Sequence, residues 1–127
     1  MASIKKLPDA EFEIMKIIWR NPSPITTLQI MGKLSPGRNW KPQTVLTLLV
    51  RLIDKGYLSS SKAGKERIYA PIISSEEYLA IETENFLSRF HSSSVLSLMS
   101  MLYDGKKLSD QEIDELRTWL NERERKP

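Results

Sequence analysis

Hydrophobic residues recur at helical spacing along most of the chain, and polar or proline-rich stretches divide that pattern into separate helices. Between Asp9 and Arg20 they form a broad stripe, which predicts a first helix with Asp9 as its N-cap. Two prolines end this helix, and a shorter one is predicted to begin at Thr26 or Thr27 and to end near Leu34. The first part of the chain is therefore expected to be helical.

The clearest helical pattern covers NWKPQTVLTLLVRLIDKGYL, residues 39–58. Pro42 suits a first turn and Gly56 suits a left-handed C-terminal cap, so a helix of about fourteen residues is predicted between them. The apolar residues that recur on one face of this helix are Val45, Leu48, Leu49, Leu52 and Ile53. The other face is polar, which leaves it free to contact a partner.

Beyond this helix the pattern changes from helical spacing to alternation. YLSSS and ERIYAP flank KAGK, and Arg67 and Tyr69 alternate with Ile68 and Ala70, which predicts a β-hairpin with a basic tip. Three helices followed by such a hairpin are typical of the winged helix-turn-helix, whose third helix enters the major groove of DNA. The predicted fold class is mainly α with a small β-hairpin wing, followed by further helices.

The C-terminal part is predicted to contain three more helices. Two of them begin with capping boxes, Ser74 with Glu77 and Ser109 with Glu112, and the helix between them is apolar on most faces. Such helices have too little interior of their own, so they must pack back onto the first part or against a second copy of the chain, and we expect a homodimer. The predicted dimerisation residues are Leu79, Phe86, Phe90, Leu98, Leu102 and Leu116.

Charge is distributed unevenly along the chain, although the formal net charge is only +3. Residues 1–73 carry 12 Lys/Arg and 5 Asp/Glu, a net of +7, whereas residues 74–127 carry 7 and 11, a net of −4. A basic part joined to an acidic part indicates that the first part faces a polyanion. We therefore expect residues 1–73 to form a winged-helix DNA-binding domain and residues 74–127 to form a helical dimerisation domain.

The third helix and the hairpin supply the residues that could read double-stranded DNA. Gln43 can pair with an adenine edge, while threonine methyl groups and Leu46 can contact the methyl groups of thymine. Cations before the helix, near its end and in the hairpin suit phosphates. The predicted DNA-binding residues are Arg38, Lys41, Gln43, Thr44, Leu46, Thr47, Arg51, Lys62, Lys65, Arg67 and Tyr69.

Several of these assignments have a structural alternative. Thr44 and Thr47 could face solvent without a partner, and the basic hairpin could be a solvated loop. Tyr69 could fill the core of the hairpin instead of donating to a phosphate, and Trp40 could pack under its loop instead of touching DNA.

The composition excludes several kinds of chemistry. The chain has no cysteine, so neither a disulfide framework nor a thiolate metal cluster can form. His91 is the only histidine, and the acidic clusters lie in first helical turns, so we expect no catalytic site, no metal site, no cofactor and no enzyme. No apolar run is long enough to cross a membrane, which predicts a cytoplasmic protein.

Three segments, LPDAEFEIMKIIW, NWKPQTVLTLLVRLIDKGYL and LSDQEIDELRTWL, resemble the corresponding segments of the penicillinase-repressor (BlaI/MecI) family. The family's Trp-x-Pro-x-Thr pattern is met by Trp40, Pro42 and Thr44, and its Arg-Leu-x-x-Lys-Gly pattern by residues 51–56. The resemblance implies a dimeric winged-helix repressor of inducible β-lactam-resistance genes that binds a palindromic operator. It also implies a membrane-bound sensor protease, whose response to antibiotic leads to a cut in the dimerisation helices.

One family feature is missing from the region where that cut is expected. The family is usually cut at an Asn-Phe bond, whereas SVLSLMSMLYDG contains neither residue. Counting back from Leu108-Ser109 places Met101-Leu102 at that position, or Ser100-Met101 if one residue is inserted. Induction by a ligand or by a different protease therefore stays open.

Two other functions fit the predicted fold: a winged-helix regulator of a different set of genes, and a protein-interaction module without specific DNA binding. A protein-binding face should carry aromatic anchors and fewer charges. Because basic residues lie at both the third helix and the hairpin, the sequence favours DNA binding over protein interaction.

Overall fold

The computed structural model describes residue 4 and residues 6–125. The helices are α1 (Asp9–Arg20), α2 (Thr27–Gly32), α3 (Pro42–Asp54), α4 (Ser75–His91), α5 (Val95–Asp104) and α6 (Asp110–Glu124). The strands are β1 (Ile25–Thr26), β2 (Leu58–Ala63) and β3 (Glu66–Pro71). The chain forms two compact units, and the division falls between Glu82 and Thr83.

The first unit combines α1, α2 and α3 with an antiparallel sheet in the order β1-β3-β2. The predicted fold class, mainly α with a β-hairpin wing, is confirmed. The strand β1 is an addition to the predicted elements, and it places Ile25 opposite Tyr69 of β3. On the other side of β3, Ser60 of β2 lies opposite the same tyrosine, so Tyr69 occupies the central strand.

The core of the first unit lies between these helices and the sheet. Its buried hydrophobic residues are Leu7, Ile14, Met15, Ile17, Ile18, Ile25, Ile30, Val45, Leu48, Leu49, Leu52, Tyr57, Leu58, Tyr69 and Tyr78. Tyr78 comes from the first turn of α4, and its hydroxyl accepts a hydrogen bond of 3.0 Å from the Leu7 backbone N–H. Its ring stacks on Phe12 with the centroids 5.5 Å apart. The start of α4 is thus a structural part of this unit.

Most helix ends follow the predicted local chemistry. Gly56 has φ +83 after α3, and the capping boxes of α4 and α6 form at Ser74 and Ser109. Thr26, not Thr27, caps α2. The prediction of Asp9 as the N-cap of α1 is wrong, because Pro8 holds that position with extended backbone angles and Asp9 is already helical.

A buried ion pair joins the start of α1 to the end of α3. Glu11 is only 3% exposed, and its carboxylate accepts a hydrogen bond from the Lys55 ammonium group. A buried carboxylate needs such a partner because desolvation is costly for an unpaired charge. The pair helps to fix α3 against α1. The face of α3 that points away from the core is exposed to solvent.

The second unit contains the end of α4 together with α5 and α6. No residue of α5 or α6, as described, is buried, although both helices carry large apolar side chains. Among the most exposed are Leu96 at 75%, Met101 at 65% and Tyr103 at 60%. His91 is buried at the end of α4, where its Nδ1 lies 3.0 Å from the Ser97 hydroxyl.

Candidate nucleic-acid interface

The outward face of α3 combines polar side chains with two exposed apolar ones. The exposed residues of this face are Gln43, Thr44, Leu46, Thr47, Val50 and Arg51. Leu46 is 38% exposed and Val50 is 55% exposed. Val50 is absent from the predicted set, although its position one turn after Leu46 is a signal that the sequence contains. Exposed apolar groups beside polar ones match the edges of bases in a major groove.

The chemistry of this face is partly fixed within the helix itself. The Thr47 hydroxyl donates a hydrogen bond of 3.0 Å to the backbone carbonyl of Gln43. Its donor is therefore occupied, while its methyl group and the two acceptor lone pairs of its oxygen stay available to a partner. The middle of the face, from Leu46 through Thr47 to Val50, thus offers mainly methyl groups, and the Gln43 amide at the start offers a donor and an acceptor.

The start of α3 presents the positive charge of Lys41, while the backbone N–H groups of Thr44 and Val45 bond within the first turn. Lys41 is the N-cap and Pro42 occupies the first turn, where its missing N–H leaves no unsatisfied donor. The N–H groups of Thr44 and Val45 both donate to the Lys41 carbonyl, at 3.0 and 3.3 Å. An exposed lysine at the positive end of a helix dipole suits a phosphate group.

The wing is formed by β2, β3 and a tight turn, in which Gly64 has φ +68. Lys62 on β2 lies directly opposite Arg67 on β3, and Lys65 lies in the turn between them. Arg67 also donates a hydrogen bond of 2.9 Å to the Ser60 hydroxyl, which orients its guanidinium. Like charges placed opposite each other destabilise a hairpin, so this arrangement is better suited to binding an anion than to stability.

The predicted phosphate-binding cations fall into two groups. Five of them form no ion pair with any carboxylate in the described parts of the chain: Lys41, Arg51, Lys62, Lys65 and Arg67. Arg38 differs, because its Nε lies 2.8 Å from the Glu13 carboxylate and its guanidinium lies 4.7 Å from the Trp40 ring centroid. A phosphate would have to compete with Glu13 for Arg38.

Two aromatic residues of the predicted region pack instead of reaching outward. Trp40 is half-buried against the core, which favours packing under its loop. Tyr69 is only 3% exposed in the central strand, which favours the core alternative over a phosphate contact. We therefore leave Tyr69 out of the interface that we propose, because a side chain enclosed in the sheet cannot reach a phosphate.

The residues predicted for dimerisation and cleavage lie on α4, α5 and α6. Leu79, Phe86, Phe90 and Leu116 are exposed, and Leu98 and Leu102 are half-buried. Met101-Leu102 lies inside α5, and the carbonyl groups of both residues accept hydrogen bonds, from Gly105 at 3.0 Å and from Lys107 at 2.8 Å. That peptide bond is consequently in a helical conformation.

The part of the chain that the structure describes contains neither a cluster of metal-ligating residues nor a helix that could cross a membrane. Its histidine, aspartate and glutamate residues form no group of three or more that could hold a metal ion. None of its helices combines the length and the apolar character needed to cross a membrane.

A helix with an exposed reading face and a basic two-stranded wing together define the winged-helix class of DNA-binding proteins. The solution structure of the DNA-binding domain of the repressor BlaI matches with a TM-score of 0.52 and 41% identity, over 61% of this chain and 94% of that one. The solution structure of monomeric BlaI from Bacillus licheniformis in complex with the blaP half-operator matches with a TM-score of 0.50 and 41% identity, with the same coverage.

The family model of the penicillinase repressor matches residues 7–122. The penicillinase repressor of Bacillus licheniformis is 37% identical over 96% of this chain and 94% of its own length. The methicillin resistance regulatory protein MecI of Mammaliicoccus sciuri is 29% identical over 93% of this chain and 95% of its own length. The chain belongs to the penicillinase repressor family, which confirms the resemblance drawn from its sequence.

Proposed function

We propose that the protein is a transcriptional repressor that binds a double-stranded operator and controls genes of β-lactam resistance. The single observation that carries this proposal is the outward face of α3, flanked by five cations that pair with no carboxylate among the described residues. Membership of the penicillinase repressor family supports the same function, since its relatives are named as repressors and one solved structure holds a half-operator.

In this proposal α3 lies in the major groove and its exposed face reads bases. Gln43 pairs with an adenine edge, and Thr44 reaches a base or a phosphate at the start of the helix. Leu46, Thr47 and Val50 contact thymine methyl groups, because that stretch offers mainly methyl groups to a partner. Each half-site is therefore expected to contain thymines opposite the middle of α3.

The cations around this face bind phosphates and contribute most of the sequence-independent affinity. Lys41 and Arg51 flank the reading face, and Lys62, Lys65 and Arg67 place the wing against the neighbouring backbone or minor groove. If a dimer neutralises roughly six to ten phosphates, affinity should fall by about three to five decades between 50 and 200 mM salt. Fluorescence anisotropy of a labelled duplex tests this, and a flat salt response would contradict the proposal.

We also propose that the chain acts as a homodimer held together by residues 74–127, while residues 1–73 supply the DNA contacts. The exposed apolar side chains of α5 and α6 support this division, because helices of this length seldom leave so many large side chains in water. Dimers of this class bind two half-sites about one helical turn apart, which makes the operator palindromic. Linkage raises the effective concentration of the second reading helix.

Loss of this linkage is the proposed switch. A cut at Met101-Leu102 in α5, made by a membrane-bound sensor protease or an effector downstream of it, would separate the two reading helices. Proteases bind extended segments, so α5 must first unwind locally. Mass spectrometry of the protein recovered from antibiotic-treated cells tests this step, and an intact chain would exclude it.

A protein-interaction module remains the second candidate, because the same fold can present α3 to another protein. The exposed apolar pair Leu46 and Val50 is the observation that favours it. Binding to random duplex DNA separates the two functions. A repressor should bind it with an affinity that falls steeply with salt, whereas a protein-interaction module should bind it weakly or not at all.

A further inference from the structure

A groove of about 330 Å³ lies on the first unit between α1 and the beginning of α4. Its lining residues are Phe12, Lys16, Trp19, Arg20, Ser75 and Leu79. The four residues from α1 and the two from α4 each follow helical spacing, so each set forms one face of its helix. None of these six residues belongs to the DNA interface proposed above, so the groove has no role in contacting DNA.

The walls of the groove are aromatic. The Trp19 indole N–H donates a hydrogen bond of 2.9 Å to the Ile73 carbonyl, which satisfies its polar edge and fixes the plane of the ring. Phe12 meets this ring edge-on, with the centroids 6.3 Å apart. Both rings are half-buried, so each keeps part of its surface open. Fixed aromatic surfaces of this kind favour a flat aromatic ligand.

Two cations lie beside these rings. The Lys16 ammonium group is 5.3 Å from the centroid of Phe12, and Arg20 follows one turn later on the same face. Neither forms an ion pair with a carboxylate among the residues whose positions are described. Like charges one turn apart repel each other, and an anion bound between them would remove that repulsion. The Ser75 hydroxyl adds a neutral donor to the same groove.

We propose that this groove binds a small aromatic carboxylate. The aromatic ring would lie against Phe12 and Trp19, and the carboxylate would bind Lys16 and Arg20. The volume falls in the range of small-molecule sites, about 300–1,000 Å³. Leu79 at the edge of the groove is also a predicted dimerisation residue, so a second copy of the chain is the competing occupant.

The three tryptophans of the chain provide a direct test, because each indole N–H gives its own NMR signal and only Trp19 lines this groove. Indole-3-acetate is added to the full ¹⁵N-labelled chain. We expect the Trp19 signal to shift and to saturate, while the signals of Trp40 and Trp119 stay in place. An unmoved Trp19 signal would overturn the proposal, and it is also the result expected if a second copy covers the groove.

A matched ligand and matched variants test the anion site. Indole-3-acetamide has the same shape without the charge, and it should bind roughly fivefold more weakly than the acid. The double variant Lys16→Gln/Arg20→Gln should bind both ligands equally, whereas Lys107→Gln, a lysine of the second unit, should behave as the unmodified chain. Equal affinity of the unmodified chain for acid and amide would overturn the proposal, even if the double variant fails to fold.

Discussion

The hydroxyl group of Thr47 donates a hydrogen bond of 3.0 Å to the backbone carbonyl of Gln43, one turn earlier on α3. This contact occupies the hydroxyl donor of an exposed residue and leaves its methyl group available to a partner. It occurs in the middle of the exposed face, between Leu46 and Val50, which are themselves apolar and exposed. The proposed contact with thymine follows from this arrangement.

Thr47→Ser should weaken operator binding, because it removes the methyl group and keeps the hydroxyl. The loss is expected to be about 0.8 kcal/mol per half-site, on the order of tenfold for a dimer. Thr47→Val keeps a methyl group and should change affinity by less than about threefold. Anisotropy titrations on a duplex and on its thymine-to-uracil analogue measure both effects. If the serine variant loses as much affinity on the uracil duplex as on the thymine duplex, the methyl contact does not exist.

Lys62→Gln should weaken binding to specific and random duplexes alike, because Lys62 is proposed to bind phosphate only. The slope of log affinity against log salt should become shallower by about 0.9 for each phosphate that the variant no longer neutralises. The same change should slightly raise the thermal unfolding midpoint, because Lys62 lies opposite Arg67 in the wing. Lys107→Gln is the matched control for both measurements. A loss confined to the specific duplex would assign Lys62 to base reading instead.

Stability should decline at high pH because of Tyr57. Burial, together with the nearby Tyr78 and acidic groups, raises the pKa of this phenol from 10.0 to about 12. Between these values the unfolded chain loses the proton and the folded chain keeps it, so the free energy of unfolding falls as pH rises through this window. Below pH 10, where Tyr57 is protonated in both states, its contribution to the free energy of unfolding is fully present. Urea denaturation at a series of pH values measures the fall, which Tyr57→Phe should reduce and Tyr103→Phe should leave unchanged.

A chain truncated after Ser100 should sediment as a monomer and should still bind one half-site. Its affinity for a duplex with two half-sites should fall by about 10²- to 10⁴-fold, because the second reading helix is no longer linked. The full-length variant Phe90→Glu/Leu116→Glu tests the same interface without a truncation. A truncated chain that remains dimeric and keeps its affinity would contradict the proposed switch.

The sequence predicted those elements whose signals are local. Helical spacing, the capping boxes at Ser74 and Ser109 and the left-handed Gly56 each depend on a few neighbouring residues. The strand β1 was not predicted, because a segment of two residues is too short to show a periodic pattern. Ile25 and Thr26 form a strand only because they pair with β3. The sequence groups Tyr78 with the C-terminal helices, yet its packing in the first unit depends on Leu7 and Phe12, far away in the chain.

The candidate site was predictable to a similar extent. The exposed face of α3 follows from the helical spacing of its apolar residues. The basic wing follows from the alternation and charge of the hairpin residues. The pairing of Arg38 with Glu13 does not, because it joins a loop to a helix 25 residues earlier in the chain. Burial of Tyr69 likewise depends on β1, whose presence the alternation of residues in the hairpin could not reveal.

Selection of random duplexes by the purified full-length protein tests the central claim, that α3 reads an operator, most directly. We expect enrichment of a palindrome with two half-sites about one helical turn apart, each with thymines. In the same selection, Gln43→Ala or Thr44→Ala should weaken the base preference at one position per half-site by about 1–3 kcal/mol. The spacing of the half-sites should not change. No enriched sequence, or an enriched sequence that neither variant alters, would contradict base reading by α3.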